Sequence, residues 1–468
     1  MSYPQRPEGN WQGGAPQQDD QRQYFLQSPQ QSLPQLPRNR GILRKMLIVG
    51  ACVVALAFVT LTSMLVYGKM TYHAPTDDEE YSYSVGRLFD ELNTALKDKD
   101  EASFLAHFSG GAEDEQRKVF RNLVKIPFAV ARFEPLREAA AAGYEDVVFV
   151  HQIEGVDVAP VYEQYTWKLN FNSESDSPFS VSEVRGSDAP WLGLEGTYYP
   201  APWDVYDDMT VVKHGNLLVV SDKKYAQSTQ RYAPYIFSAG AEDFSFWDEK
   251  GPADVFVAKG AVVILEPNRK IYDKFFSGEE ENDSLEAGTT VSVPAYDSES
   301  KGRAQFGARV IMDSSLSRFT SSTWRDGVKR ISRHEIAHAM LAHFSSPSTW
   351  LAEGFAEFME FRGSTEAAQA NDISLRGYPF RGLPPSGGDA FYSDDAQERA
   401  ANYGLSRLAI QYMAEKYGES KALRFVAFSY SDPVNGEKYY KTLFGLEEDE
   451  FWSQWASWVR SQNPGIGS

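Results

Sequence analysis

Ile331-Ser-Arg-His-Glu-Ile-Ala-His-Ala-Met-Leu-Ala-His343, followed after a short turn by Trp350-Leu-Ala-Glu-Gly-Phe-Ala-Glu357, decides how the chain is read. His334 and His338 stand four residues apart, so on an α-helix their imidazoles leave one face about one turn apart. Two neutral nitrogens can then converge on one ion. Glu335 projects about 100° round the helix from His334 and flanks the open side of that ion, where it can accept a proton from water.

A catalytic zinc takes three protein ligands and keeps one open position. His343 lies five residues past His338, roughly 140° round the helix, and faces away. Glu353 is the better third ligand. Ser345-Ser346-Pro347-Ser348 supplies a capping serine and a proline suited to a first helical turn, so a second helix starts at about Pro347 to Thr349. A short connection favours antiparallel packing, which returns Glu353 over the histidines. Glu357 follows one turn later, placed to accept the second N–H of a ligating histidine and hold its tautomer.

With His334-Glu335-x-x-His338 and Trp350-Leu-x-Glu353-Gly354-x-Ala356, the chain resembles the gluzincin metallopeptidases, most closely the peptidase MA-like group. In that group the glutamate before glycine is the third zinc ligand. Thermolysin-like and aminopeptidase N-like enzymes use a longer spacing than the 14 residues between His338 and Glu353. The thermolysin-like carboxylate four residues after the ligand corresponds to Glu357. The metzincin pattern is absent, since Leu341 and Phe344 stand where it needs glycine and histidine.

The formal charge is −19, and the first 45 residues are net basic, so the remainder is more acidic still and unsuited to nucleic acid. The single cysteine, Cys52, excludes an intramolecular disulfide. Met46 to Gly68 carries no charge and is long enough to cross a bilayer. Arg38, Arg40, Arg44 and Lys45 precede it and Asp77-Asp-Glu-Glu80 follows, which predicts a cytoplasmic N-terminus and an extracellular remainder.

Taken in order, residues 1–45 are Gln- and Pro-rich and read as a disordered cytoplasmic tail. The transmembrane helix at 46–68 and a polar stalk at 69–82 follow. Residues 83–205 begin with helical periodicity at Tyr83 to Lys97, after Asp100 and at Glu113 to Val124. The period changes to two over Asp146 to Ile153, Tyr162 to Phe171 and Phe179 to Arg185. Helices before an antiparallel sheet make an α+β unit, which resembles a cystatin-like or nuclear-transport-factor-like cone. His107 and His151 read as ordinary surface or core histidines. From 206 to 468 a hairpin turns at His214-Gly215-Asn216, helices run from Tyr225 to about Phe246 and around Tyr272 to Phe276, and Ala261-Val-Val-Ile-Leu265 is a buried strand. Gly278-Glu-Glu-Glu-Asn-Asp283 reads as a solvated acidic loop. Ala308-Arg-Val-Ile-Met-Asp313 is the last strand before the catalytic helix, and the resemblance implies a sheet edge there that takes substrate backbone.

Tyr403-Gly-Leu-Ser406 matches a Tyr-x-x-Ser pattern frequent in the peptidase MA-like group, and aminopeptidase relatives use a tyrosine near this point for the oxyanion. Tyr403 is therefore a candidate donor, beside an ordinary packing role. Phe451, Trp452, Trp455 and Trp458 form a packing stripe. The expectation is an α+β membrane-anchored zinc metallopeptidase acting on peptide or protein substrates, with His334, His338 and Glu353 on the metal, Glu335 and Tyr403 catalytic and Glu357 in support. The alternative is a non-catalytic zinc-containing envelope scaffold or partner-binding protein.

Overall fold

The computed structural model describes residues 77–136, 144–171, 179–186, 201–277, 287–296, 305–344, 347–364, 372–383 and 388–467. The tail, the apolar run Met46 to Gly68 and the acidic run Gly278 to Asp283 lie outside them. Among the described residues no helix is long and apolar enough to cross a membrane. The architecture is α+β, and Leu88 to Ser468 cluster as one unit holding two sheets.

Helix α1 (Asp77–Asp98) starts six residues before the expected Tyr83, inside the stretch read as a polar stalk. Asp100 caps α2 (Glu101–Leu105) by accepting the N–H groups of Ala102 and Ser103, both at 3.1 Å. Helix α3 (Gly111–Leu123) then leads into an antiparallel sheet of β1 (Phe128–Pro135), β2 (Tyr144–Ile153), β3 (Val161–Phe171) and β4 (Phe179–Gly186), in that order. β1 is absent from the sequence reading because Ala129 and Ala131 blur its alternation. Rings of Phe104, Phe120, Phe133, Phe149 and Trp167 fill the space between helices and sheet, with Phe133 and Phe149 centred 4.7 Å apart. His151 belongs to this core. It stacks on Phe149, and burial together with the Arg309 charge lowers its pKa to about 3.

A short helix, α4 (Pro202–Val205), leads to the second sheet: β5 (Met209–His214), β6 (Leu217–Asp222), β7 (Ala261–Glu266), β8 (Gly288–Pro294) and β9 (Gln305–Asp313), in spatial order β5-β6-β7-β9-β8. β6, β7 and β9 are parallel; β5 and β8 run antiparallel to their neighbours. This corrects one expectation. β9 lies inside the sheet, and the edge strand, which runs beside the helix carrying His334 and His338, is β8. Gly288-Thr-Thr-Val-Ser-Val-Pro294 escapes periodicity because several of its residues are only half-buried, as suits an edge ending in proline.

Helices α5 (Ala226–Lys250) and α8 (Trp324–Leu341) pack side by side, with α6 (Arg269–Ser277) and α7 (Ser317–Thr320) between them in sequence. The C-terminal lobe contains α9 (Thr349–Phe361), α10 (Gly388–Phe391), α11 (Ala396–Tyr417), α12 (Glu419–Ser431) and α13 (Glu448–Gln462). Trp452 of α13 meets Trp350 of α9 edge-on at 5.1 Å, so the C-terminal aromatics are packing residues.

Near the junction of the two sheets, two carboxyl groups are buried with few cationic partners. Trp203 Nε1 donates to Glu163 at 3.2 Å, and the Tyr165 hydroxyl reaches Asp204 at 3.2 Å. Burial and mutual repulsion push Glu163 well above the usual carboxylate range, and burial lifts Asp204 to about 7. A raised folded-state pKa contributes stability that is complete below the unfolded value and is lost as pH rises through the folded one. Thermal unfolding of the 69–468 fragment should therefore show a midpoint that falls between pH 5 and pH 8. Asp204→Asn, which keeps an acceptor for Ala201 N–H and Tyr165, should flatten that slope; an unchanged slope would remove Asp204 from the account.

Candidate metal centre

α8 and α9 pack with the histidines of one against the glutamates of the other, and other parts of the chain hold that contact. Arg333, next to His334, donates to the buried Asp243 of α5 at 3.1 Å and to the Arg362 carbonyl just past α9 at 2.9 Å. One guanidinium thus ties three helices. Gly354 explains the glycine after the ligand: a Cβ there would stand 2.5 Å from the Ser406 carbonyl oxygen of α11. Ser406 in turn sits one turn from Tyr403, so close helix contact at Gly354 brings Tyr403 to the cleft.

The outcome is a convergence of three atoms. His334 Nε2 and His338 Nε2 lie 3.3 Å apart, and each is 3.4 Å from Glu353 Oε2. Ligands about 2.05 Å from a tetrahedral zinc stand about 3.3 Å from one another, so the donor set and spacing fit that ion. With both imidazoles neutral and their Nε2 lone pairs turned inward, the three atoms offer a cation two nitrogens and one carboxylate oxygen. Glu353 and Glu335 are almost completely buried, at 4% and 5% exposure, while both histidines keep contact with the cleft. Burial alone would lift the Glu353 carboxyl; the two imidazoles hold it well below its ordinary range. Burial works against charge on His334, but Glu353 and Glu360 raise its pKa well above that of a free imidazole.

Glu335 is held apart from this triangle. The Thr290 hydroxyl of β8 donates to its Oε2 at 2.9 Å and lies 3.0 Å from its backbone carbonyl. A Cβ on Gly288 would stand 2.8 Å from Glu335 Oε1, so glycine there leaves the carboxylate its place. Ala287, Gly288, Thr289, Arg318, Ile331 and Tyr403 line the same cleft as the histidines and Glu335. The Tyr403 ring centre is 6.4 Å from that of His334.

Two positions were missed in sequence. Glu357, expected behind the ligands, has its Oε1 3.7 Å from His334 Nδ1, while Glu360 Oε2 is nearer, at 3.3 Å. The Arg318 guanidinium anchors the other oxygen of Glu360 at 2.8 Å. Burial opposes charge on both carboxylates, but Arg318 and His334 hold Glu360 low, and repulsion from Glu360 helps raise Glu357 to about 7. Glu353, Glu357 and Glu360 form one helical stripe, a signal already present in their spacing. The second omission is Tyr392, whose hydroxyl donates to Glu353 Oε1 at 2.7 Å and so leaves Oε2 turned to the histidines. It follows a segment with no clear periodicity. His343, discounted as a ligand, packs between Phe256 and Phe344.

No model of a known protein family matches the chain, and no curated protein matches it.

Glu360→Gln should weaken zinc affinity on the order of 10-fold, the usual range for such supporting groups, and Glu357→Gln should weaken it less. Tyr392→Phe should act like Glu360→Gln. Competition with a chromophoric chelator measures all three, and a larger loss from Glu357→Gln than from Glu360→Gln would reverse the assignment.

Proposed function

We propose that the chain is a zinc-dependent metallopeptidase of gluzincin type, anchored by Met46–Gly68 with its catalytic part outside the cell. The observation that carries this reading is the 3.3–3.4 Å triangle of His334, His338 and Glu353, with Glu335 beside it in a cleft. Two imidazoles and one carboxylate are a donor set suited to zinc. When bound, zinc would act as a Lewis acid that polarises a peptide carbonyl and acidifies water.

The remaining chemistry belongs to the side chains. Glu335 is the general base: its carboxylate takes the proton of the attacking water and returns it to the leaving amine. Thr290 holds the carboxylate's orientation through its hydroxyl. Tyr403 is the proposed donor to the developing oxyanion, on the support of its place in the cleft wall. The edge strand β8 is the proposed lane for substrate backbone, in place of β9.

A library of peptides incubated with the zinc-loaded 69–468 fragment should be cut, and Glu335→Gln should bind zinc equally while losing nearly all turnover. Full activity in Glu335→Gln would mean that the base lies elsewhere. Tyr403→Phe should keep zinc and lose about 10²-fold in turnover. Unchanged turnover would leave Tyr403 a packing residue.

A further inference from the structure

The first sheet closes one end of the lane along β8. Asp313 N–H donates to the Ala287 carbonyl, so alternation along the β8–β9 ladder turns Ala287, Thr289, Val291 and Val293 toward β9. The backbone groups of Gly288, Thr290 and Ser292 consequently face away from the sheet. Glu335 lies against Gly288 and Thr290, which locates the reacting centre at the N-terminal end of this row.

Further along, the same row is occupied by the chain itself. Tyr296 N–H donates to the Pro160 carbonyl at 2.9 Å, and Val161 of β3 forms an antiparallel bridge with Ala295. The first residues of β3 therefore sit in the position of a sixth strand, where an added peptide would run. This end is firmly built. Arg309 of β9 holds Asp157 through two hydrogen bonds, of 2.6 and 3.1 Å. A Cβ on Gly307 would meet Asp157 at 2.5 Å, and one on Gly260 would meet the Gly155 carbonyl at 2.2 Å. The turn Glu154 to Pro160 is thus seated directly on the ends of β7 and β9. Tyr162 packs on Tyr296 in support, with ring centres 6.0 Å apart.

We propose that the β2–β3 connection of the first module is the end wall of the substrate cleft and sets how much peptide fits on one side of the cleaved bond. Four residues, Val291 to Pro294, separate Thr290 from the blocked position at Ala295. At about 3.4 Å per residue this is room for about four residues of added strand. An antiparallel strand pairs somewhat more strongly and would point its amino-terminal side at the wall. The site therefore takes substrates with a short amino-terminal segment ahead of the cleaved bond and an unrestricted segment after it. It removes short pieces from peptide N-termini instead of cutting within long chains. This rests on the peptidase reading of the metal centre.

The test uses the zinc-loaded protein and two ladders of peptide hydroxamates, in which the hydroxamate anchors one end at the metal. One ladder carries it at the peptide C-terminus and the other at the N-terminus, each with one to eight residues. Affinity in the first ladder should rise to about four residues and then fall by about tenfold, while the second shows no such limit. Equal or tighter binding of the eight-residue member of the first ladder would overturn the proposal, and a limit confined to the second ladder would overturn the antiparallel lane. A zinc-bound chain that binds neither ladder would overturn the peptidase reading, and the inference with it. Length-independent binding in both ladders would overturn the inference alone.

Discussion

Everything in the proposed chemistry depends on one packing contact, the crossing of α8 and α9 that turns His334, His338 and Glu353 onto a common point. Neither helix would hold that arrangement alone. Three buried acidic residues on α9 repel one another and need positive charge supplied from outside the helix. The fold supplies compensation from outside: Arg333 ties the helices through Asp243 and Arg362, Arg318 neutralises Glu360, and Gly354 lets α11 close over the ligand helix. A buried charge cluster of this kind is expensive unless paired, and here a bound cation would complete the pairing.

The two sheets contribute differently. In the mixed sheet, the parallel strands β6, β7 and β9 form a buried platform, and β8 at its edge brings Thr290 and Gly288 to Glu335. In the first sheet, aromatic rings fill the interior, so its contribution to the cleft lies in the β2–β3 turn that meets the end of β8. Arg309 joins both, reaching from β9 to Asp157 and to within 3.2 Å of His151.

Much of this was legible in the residues themselves. The helical spacing of His334 and His338, the short link to Glu353 and the alternation of β2 and β3 are local patterns, and local patterns survive folding. What was not legible depends on long-range placement. β8 is an edge strand with a sheet partner on one side only, so its half-buried residues do not alternate clearly. The choice of Glu360 over Glu357 as nearer neighbour of His334 depends on Arg318, far away in sequence and with no motif of its own. Tyr392 likewise reaches Glu353 from a segment whose path periodicity does not reveal.

The most direct test is X-ray absorption at the zinc edge on the loaded protein. The first coordination shell should hold two imidazole nitrogens and light oxygen donors at about 2.0–2.1 Å, with one imidazole contribution lost in His338→Ala. A shell without imidazole scattering, or one unaffected by that substitution, would contradict this ligand assignment.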